Sequence, residues 1–164
     1  MRVMGLDCAT LKSGISVVSS VNGEATLIHA EKFERPSRVH FTRRIYDLKK
    51  RVIEQVEEFQ PDLVVLEDIK FNRNAPNLGS MAKVAMTIGA VASEVAGADQ
   101  RLEMITATSA RKILETKNKD SARKMVNKKF LRDLIEIGFP DGLKKAHEDV
   151  SDSIVLAWGG LTLL

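Results

Sequence analysis

Arg2-Val3-Met4-Gly5-Leu6-Asp7-Cys8-Ala9 reads as a buried strand carrying one carboxylate in a mostly apolar run. An Asp there is unexpected, because a buried carboxylate needs a partner charge or a metal. Lys12-Ser13-Gly14 predicts a turn and Ile15-Ser16-Val17-Val18 a second strand. Asn22-Gly23 is a strong hairpin signal leading into a third strand, Ala25-Thr26-Leu27-Ile28-His29-Ala30. The chain is therefore expected to open with an antiparallel meander.

Downstream the apolar period lengthens. Ile45, Leu48, Val52, Val56 and Phe59 recur at three- and four-residue steps, which predicts an amphipathic helix capped at Ser37 or Thr42 and ended by Pro61. Leu63-Val64-Val65-Leu66 follows as a short strand with Glu67 and Asp68 at its end. A strand, a helix and a strand form a right-handed crossover with parallel pairing. Residues 71–77 read as a polar loop, and 79–96 as a helix rich in small residues with Gly97 as C-cap. Leu102 to Thr106 supplies a fifth strand. Thr108-Ser109 caps a short helix, and Ser121 opens a longer one carrying Val126, Phe130, Leu134 and Ile137. The last helix starts near Glu148 and turns Val150, Ile154, Ala157 and Leu161 toward the sheet. The expected fold class is α/β, one domain over residues 1–164, with a mixed five-stranded sheet and helices on both faces.

At 164 residues, 44% hydrophobic and 29% charged, the composition excludes disordered and collagenous classes. No apolar run nears the roughly 20 residues that span a bilayer, and Asp7 interrupts the first strand too early for a signal-peptide core. The lone Cys8 has no partner for an internal disulfide. The expected setting is a reducing one: the cytoplasm, or the host cytoplasm for a viral source.

Four carboxylates fall where topology can gather them: Asp7 in the first strand, Glu67 ending the fourth, and Asp149 and Asp152 three apart on the last helix. Acids in a helix's first turn also suit the macrodipole by themselves, and strand-end acids can simply be solvated. If the four converge, their repulsion calls for a cation. Hard oxygen ligands suit Mg²⁺, with Mn²⁺ as a substitute, and two such ions serve phosphodiester hydrolysis. His147 and Glu148 are candidate auxiliaries.

The net charge of +3 conceals two opposed fields. From Arg111 to Arg132 there are nine basic residues and two acids, a local +7, which leaves −4 for the rest of the chain. Arg35, Arg38, Arg43 and Arg44 form a second basic set leading into the first helix. Arg111, Lys112, Lys119, Arg123 and Lys124, with Arg73 in the loop after Glu67, are candidate contacts to a phosphate backbone. The other reading is a solvated helix face. Phe71, in the same loop, is placed either to stack on bases or to fold back onto the core, whereas Trp158 reads as core.

The chain resembles the RuvC family of Holliday junction resolvases, within the RNase H-like nucleases. Met4-Gly5-Leu6-Asp7 resembles the family's first-strand Gly-x-Asp, and Val64-Val65-Leu66-Glu67 its fourth-strand Glu. Asn74-Ala75 through Gly89-Ala90-Val91 resembles the loop and small-residue helix that follow. Thr108-Ser109-Ala110-Arg111-Lys112 and Ser121-Ala122-Arg123-Lys124 resemble the basic segment, and Asp149-Val150-Ser151-Asp152-Ser153 the closing Asp-x-x-Asp-Ala. The resemblance implies a homodimer that binds four-way DNA junctions and nicks two opposed strands with Mg²⁺ held at Asp7, Glu67, Asp149 and Asp152. It also implies pairing through the helix from Ser80 to Ala96. Two departures stand out. Cys8-Ala9 follows the first Asp where the family has Pro-Gly, and Lys70, with Phe71 one later, stands at the family's loop aromatic. Both bear on junction selectivity, so the expected substrate widens to branched DNA. The alternatives are a relative of the same fold that cuts structured RNA, and a non-catalytic nucleic-acid-binding module.

Overall fold

In the computed structural model, which describes residues 1–69 and 77–164, strand β1 (Arg2–Asp7) runs antiparallel to β2 (Lys12–Val21), and β2 antiparallel to β3 (Glu24–Glu34). Asn22 and Gly23 both adopt positive φ, 51° and 82°, as a two-residue hairpin requires. The second and third strands extend beyond their apolar segments. Lys12 pairs with Glu34 and Ser13 with Phe33, and backbone pairing of this kind leaves no mark in hydropathy. A bulge interrupts the register, because Val17 faces His29 while Val18 faces Leu27.

Helix α1 (Phe41–Phe59) crosses to β4 (Leu63–Asp68), which pairs parallel with β1. Neither expected cap holds. A turn closed by Val39 N–H on the Pro36 carbonyl delays the helix, and His40 becomes its N-cap residue, with its Nδ1 2.9 Å from the Thr42 hydroxyl oxygen. Helix α2 (Leu78–Gly97) runs past its expected end, with Ala98 as C-cap and Asp99 taking the left-handed conformation assigned to Gly97. Strand β5 (Leu102–Thr106) then pairs parallel with β4, giving the order β3-β2-β1-β4-β5. Helix α3 (Ala107–Ile113) is capped by Thr106, two positions before the expected pair, its hydroxyl accepting from Ser109 N–H at 3.2 Å. Helix α4 (Lys119–Ile137) opens on a reciprocal box between Asn118 and Ser121, so Ser121 serves the third position rather than the start. Helix α5 (Glu148–Gly160) closes the fold. No helix among the described residues is long and apolar enough to cross a membrane.

Alternation along the strands builds two cores. Met4, Leu6, Val64 and Leu66 pack beneath α1 and α2. Val3, Val18, Leu63 and Val65 pack with residues of α3, α4 and α5. α5 lies so close to the sheet that a Cβ on Gly5 would stand 2.0 Å from the Ser153 carbonyl oxygen, and one on Gly14 1.9 Å from that of Asp149. The expectation of one apolar and one polar face on α5 gives way here. Ser151, Asp152 and Ser153 are buried along with Val150, Ile154 and Ala157, because α3 and α4 cover the side away from the sheet. Leu161 falls beyond the helix, in a 3₁₀ turn.

A long-range contact pins the bulge. The Asp133 carboxylate on α4 accepts from Leu27 N–H at 2.9 Å. Asp133→Ala removes that acceptor and is expected to cost about 1–2 kcal/mol. In urea unfolding it would lower the midpoint at unchanged slope.

Candidate active site at the carboxyl ends of β1 and β4

Strand parity assembles the site. Asp7 follows Val3 and Gly5, and Glu67 follows Leu63 and Val65, on the face that α5 covers. Gly5 is in register with Val65 and Leu6 with Leu66, so Asp7 and Glu67 close adjacent parallel strands at the same level. Their carboxyls are in hydrogen-bonding contact. α5 brings Asp149 and Asp152 above them. The bare backbone of Gly14, in register opposite Asp7, lets the first turn of that helix settle there.

The electrostatics follow from this convergence. Burial pushes the Asp7 carboxyl well above its ordinary value. The hydrogen bond that protonated Asp7 donates to Glu67 and the charges of Glu67, Asp152 and Asp149 add to the rise. Asp149 is also raised by burial, against the opposing charges of Lys32, Lys119 and Lys12. Next to Asp7, burial and the charges of Asp7 and Glu67 push the Cys8 thiol up, so the sulfur stays protonated and unreactive. Among the described residues, no three His, Cys, Asp or Glu side chains stand close enough together to enclose an ion as they are.

The basic residues divide. Lys119 Nζ lies 2.8 Å from Asp152 Oδ2 and 3.9 Å from Glu148 Oε2, and Arg111 Nη1 lies 3.9 Å from Asp152 Oδ1. Burial works against the Lys119 charge, yet the hydrogen bond it donates to Asp152 and the fields of Asp152, Glu148 and Asp7 outweigh it and raise its pKa. Arg111 and Lys119, expected to face phosphates, thus turn inward to a carboxylate. Arg123 and Lys124 both pair with Asp120, the latter at 2.8 Å, and Lys112 is exposed. His147 takes no place among the carboxylates. Its Nδ1 accepts from Lys144 N–H at 3.1 Å and its ring meets Phe139 edge-on, which fixes the turn entering α5. Phe71 and Arg73 lie outside the described residues.

Sequence reasoning missed Lys12 and Lys32, whose charges reach Asp149. Lys32 is in register with Gly14, itself opposite Asp7, so the pairing of the first three strands was the signal that could have located it.

The chain is 27% identical over 100 residues to the crossover junction endodeoxyribonuclease RuvC of Syntrophomonas wolfei, a match covering 58% of each protein. It is 26% identical to the enzyme of the same name from Corynebacterium diphtheriae, over 94% of this chain and 90% of that one. The chain thus matches a little over half the length of the first relative. The structure of Thermus thermophilus RuvC in complex with a Holliday junction substrate superposes with a TM-score of 0.78 at 20% identity, covering 98% of this chain and 93% of that one. The two share the RNase H-like fold, with its mixed five-stranded sheet. Because the model of the family described as crossover junction endodeoxyribonuclease RuvC matches residues 3–159, nearly end to end and across all four carboxylates, the chain belongs to the RuvC family.

Proposed function

We propose that this chain is a metal-dependent endonuclease that nicks four-way junctions and other branched DNA by phosphodiester hydrolysis. The observation that carries the proposal is the register of β1 and β4, which ends Asp7 and Glu67 side by side beneath the first turns of α5 with Asp149 and Asp152. Burying like charges together is unfavourable unless a proton or a hard cation lies between them, and an all-oxygen donor set suits Mg²⁺ or Mn²⁺. Asp7, Glu67, Asp149 and Asp152 would hold two such ions, which supply the Lewis acidity that activates a water and stabilises the leaving 3′ oxygen.

The chain's own residues do the rest. Asp7 and Glu67 are fixed by the register of β1 and β4, so the inner pair is preorganised by the sheet rather than by loops. Arg111 holds Asp152 from behind the helix, and Glu148 stands at the mouth of the site beside Lys119. Lys112, Lys124 and Arg123 would meet phosphates around the site, and Arg73 and Phe71 are proposed by their sequence alone as further DNA contacts. The exposed side of α2, where Met86 is 60% accessible and Gly89 has open space around its Cα, would pair with a second copy so that two sites act on opposed strands. Such a substrate places the protein in the cytoplasm, or in the host cytoplasm for a viral source.

A gel assay on labelled four-way junctions, flaps, duplexes and structured RNA with Mg²⁺ tests the reading. Paired symmetric nicks on the junction, or cuts at several branched DNAs, are the expected products. Cleavage confined to RNA, or salt-sensitive binding with no product at any protein concentration, would replace it with one of the other readings.

A further inference from the structure

We infer that Lys119 is the resident cation of Asp152, so that the protein without DNA takes up one divalent ion where its four carboxylates would otherwise take two. The inference rests on the proposed reading of those carboxylates as metal ligands and deepens it.

The acidic set is unevenly compensated. Asp152, 4% exposed, faces two cations: Lys119 Nζ at 2.8 Å from Oδ2 and Arg111 Nη1 at 3.9 Å from Oδ1. Arg111 Nη1 is itself buried without a hydrogen-bond partner, so it remains fixed as background charge. By contrast, Asp7 and Glu67 face each other, and no ion pair to either is formed among the described residues. An ion on Asp152 Oδ2 would sit about 2.0–2.1 Å from that oxygen, inside the space the ammonium holds. A divalent ion and an ammonium cannot share one oxygen at such distances without strong repulsion. The Asp7–Glu67 end carries no such competitor, so it loads first.

Lys119 is also built to leave. It is the first residue of α4, its side chain is 50% exposed, and its stem reaches the site from the rim. A DNA phosphate near the rim offers the ammonium an alternative partner. Drawing Lys119 onto the phosphate vacates Asp152 for the second ion, so binding of nucleic acid and of that ion become coupled, each favouring the other. A stretch of basic sequence that reads as a plain phosphate grip thereby serves as a gate on metal loading.

Counting Mn²⁺ bound to the metal-free, DNA-free protein, by calorimetry and by the electron paramagnetic resonance of free Mn²⁺, decides the matter without reference to activity. Wild type should bind one ion per chain in the accessible range. Lys119→Met should bind two, the second at least about tenfold more tightly than in wild type, and Lys119→Arg should return to one. Two ions of similar affinity in wild type, unchanged in Lys119→Met, would overturn the assignment. Asp7→Asn separates the two levels. If it abolishes Mn²⁺ uptake while Lys119→Met matches wild type, only the role of Lys119 fails. If it leaves uptake and cleavage intact, the metal site itself fails.

Discussion

Asp7→Asn should reduce cleavage in Mg²⁺ by on the order of 10³-fold, the scale of losing a group that acts on charge in the transition state. At the same time it should stabilise the metal-free protein. The stability effect has a definite sign. The folded protein holds the Asp7 proton above the ordinary carboxylate value of 3.8, so the native state binds more protons than the unfolded chain across the window that opens there. Stability of the wild type without divalent ions therefore falls as pH rises from that value through the folded pKa, and remains reduced above it. The amide cannot ionise and escapes the penalty. Urea unfolding in EDTA should show the variant ahead by about 1 kcal/mol near pH 8 and by less near pH 4. A gap that is equal at both pH values would show that ionisation of Asp7 is not the cause. Divalent ions should reverse the ranking at pH 8, because only the wild type retains the carboxylate that an ion would neutralise.

Gly14→Ala is expected to damage stability and activity together. The added methyl would stand 1.9 Å from the Asp149 carbonyl oxygen and 2.4 Å from its carbonyl carbon, both backbone atoms that no rotamer change can move. α5 must lift from the sheet, and the overpacking should cost about 3 kcal/mol. For a chain of this size that lowers Tm by about 6–12 °C. Gly14 lies in register with Asp7, so the same displacement carries Asp149 away from the carboxylate below it. Misplacement of about 1 Å can cost on the order of 10²-fold in rate, so cleavage should collapse even at temperatures where the variant is folded. Gly97→Ala is the control: no atom lies within 4 Å of its added methyl, and both stability and cleavage should stay close to wild type. A Gly14→Ala protein with normal melting would refute the close contact between α5 and β2.

The central strands, the hairpin and the crossover were legible because each is written in local chemistry. Asn22-Gly23 specifies its own turn, and the spacing of Leu48, Val52 and Val56 specifies the buried face of α1. The edges of the elements were less so. Lys12 and Glu34 belong to strands although nothing in their hydropathy says so, and the caps at His40 and Thr106 depend on turns that precede the helices. The amphipathic reading of α5 was incomplete because a helix covered by a sheet on one side and by α3 and α4 on the other can bury a polar face.

The sequence by itself determined the order of the strands and helices and which acids could meet. A carboxylate on a buried strand and another at a strand end announce their anomaly to any reader of polarity. The tertiary structure decided which cations answer them. Arg111 and Lys119 stand 41 and 33 residues from Asp152 along the chain, and the same basic run also contains Lys112 and Lys124, which point elsewhere. Composition counts these charges alike. Only the packing of α3 and α4 over α5 separates the two that reach a buried carboxylate, where an ion pair is stronger, from those that remain in water, where it is weak.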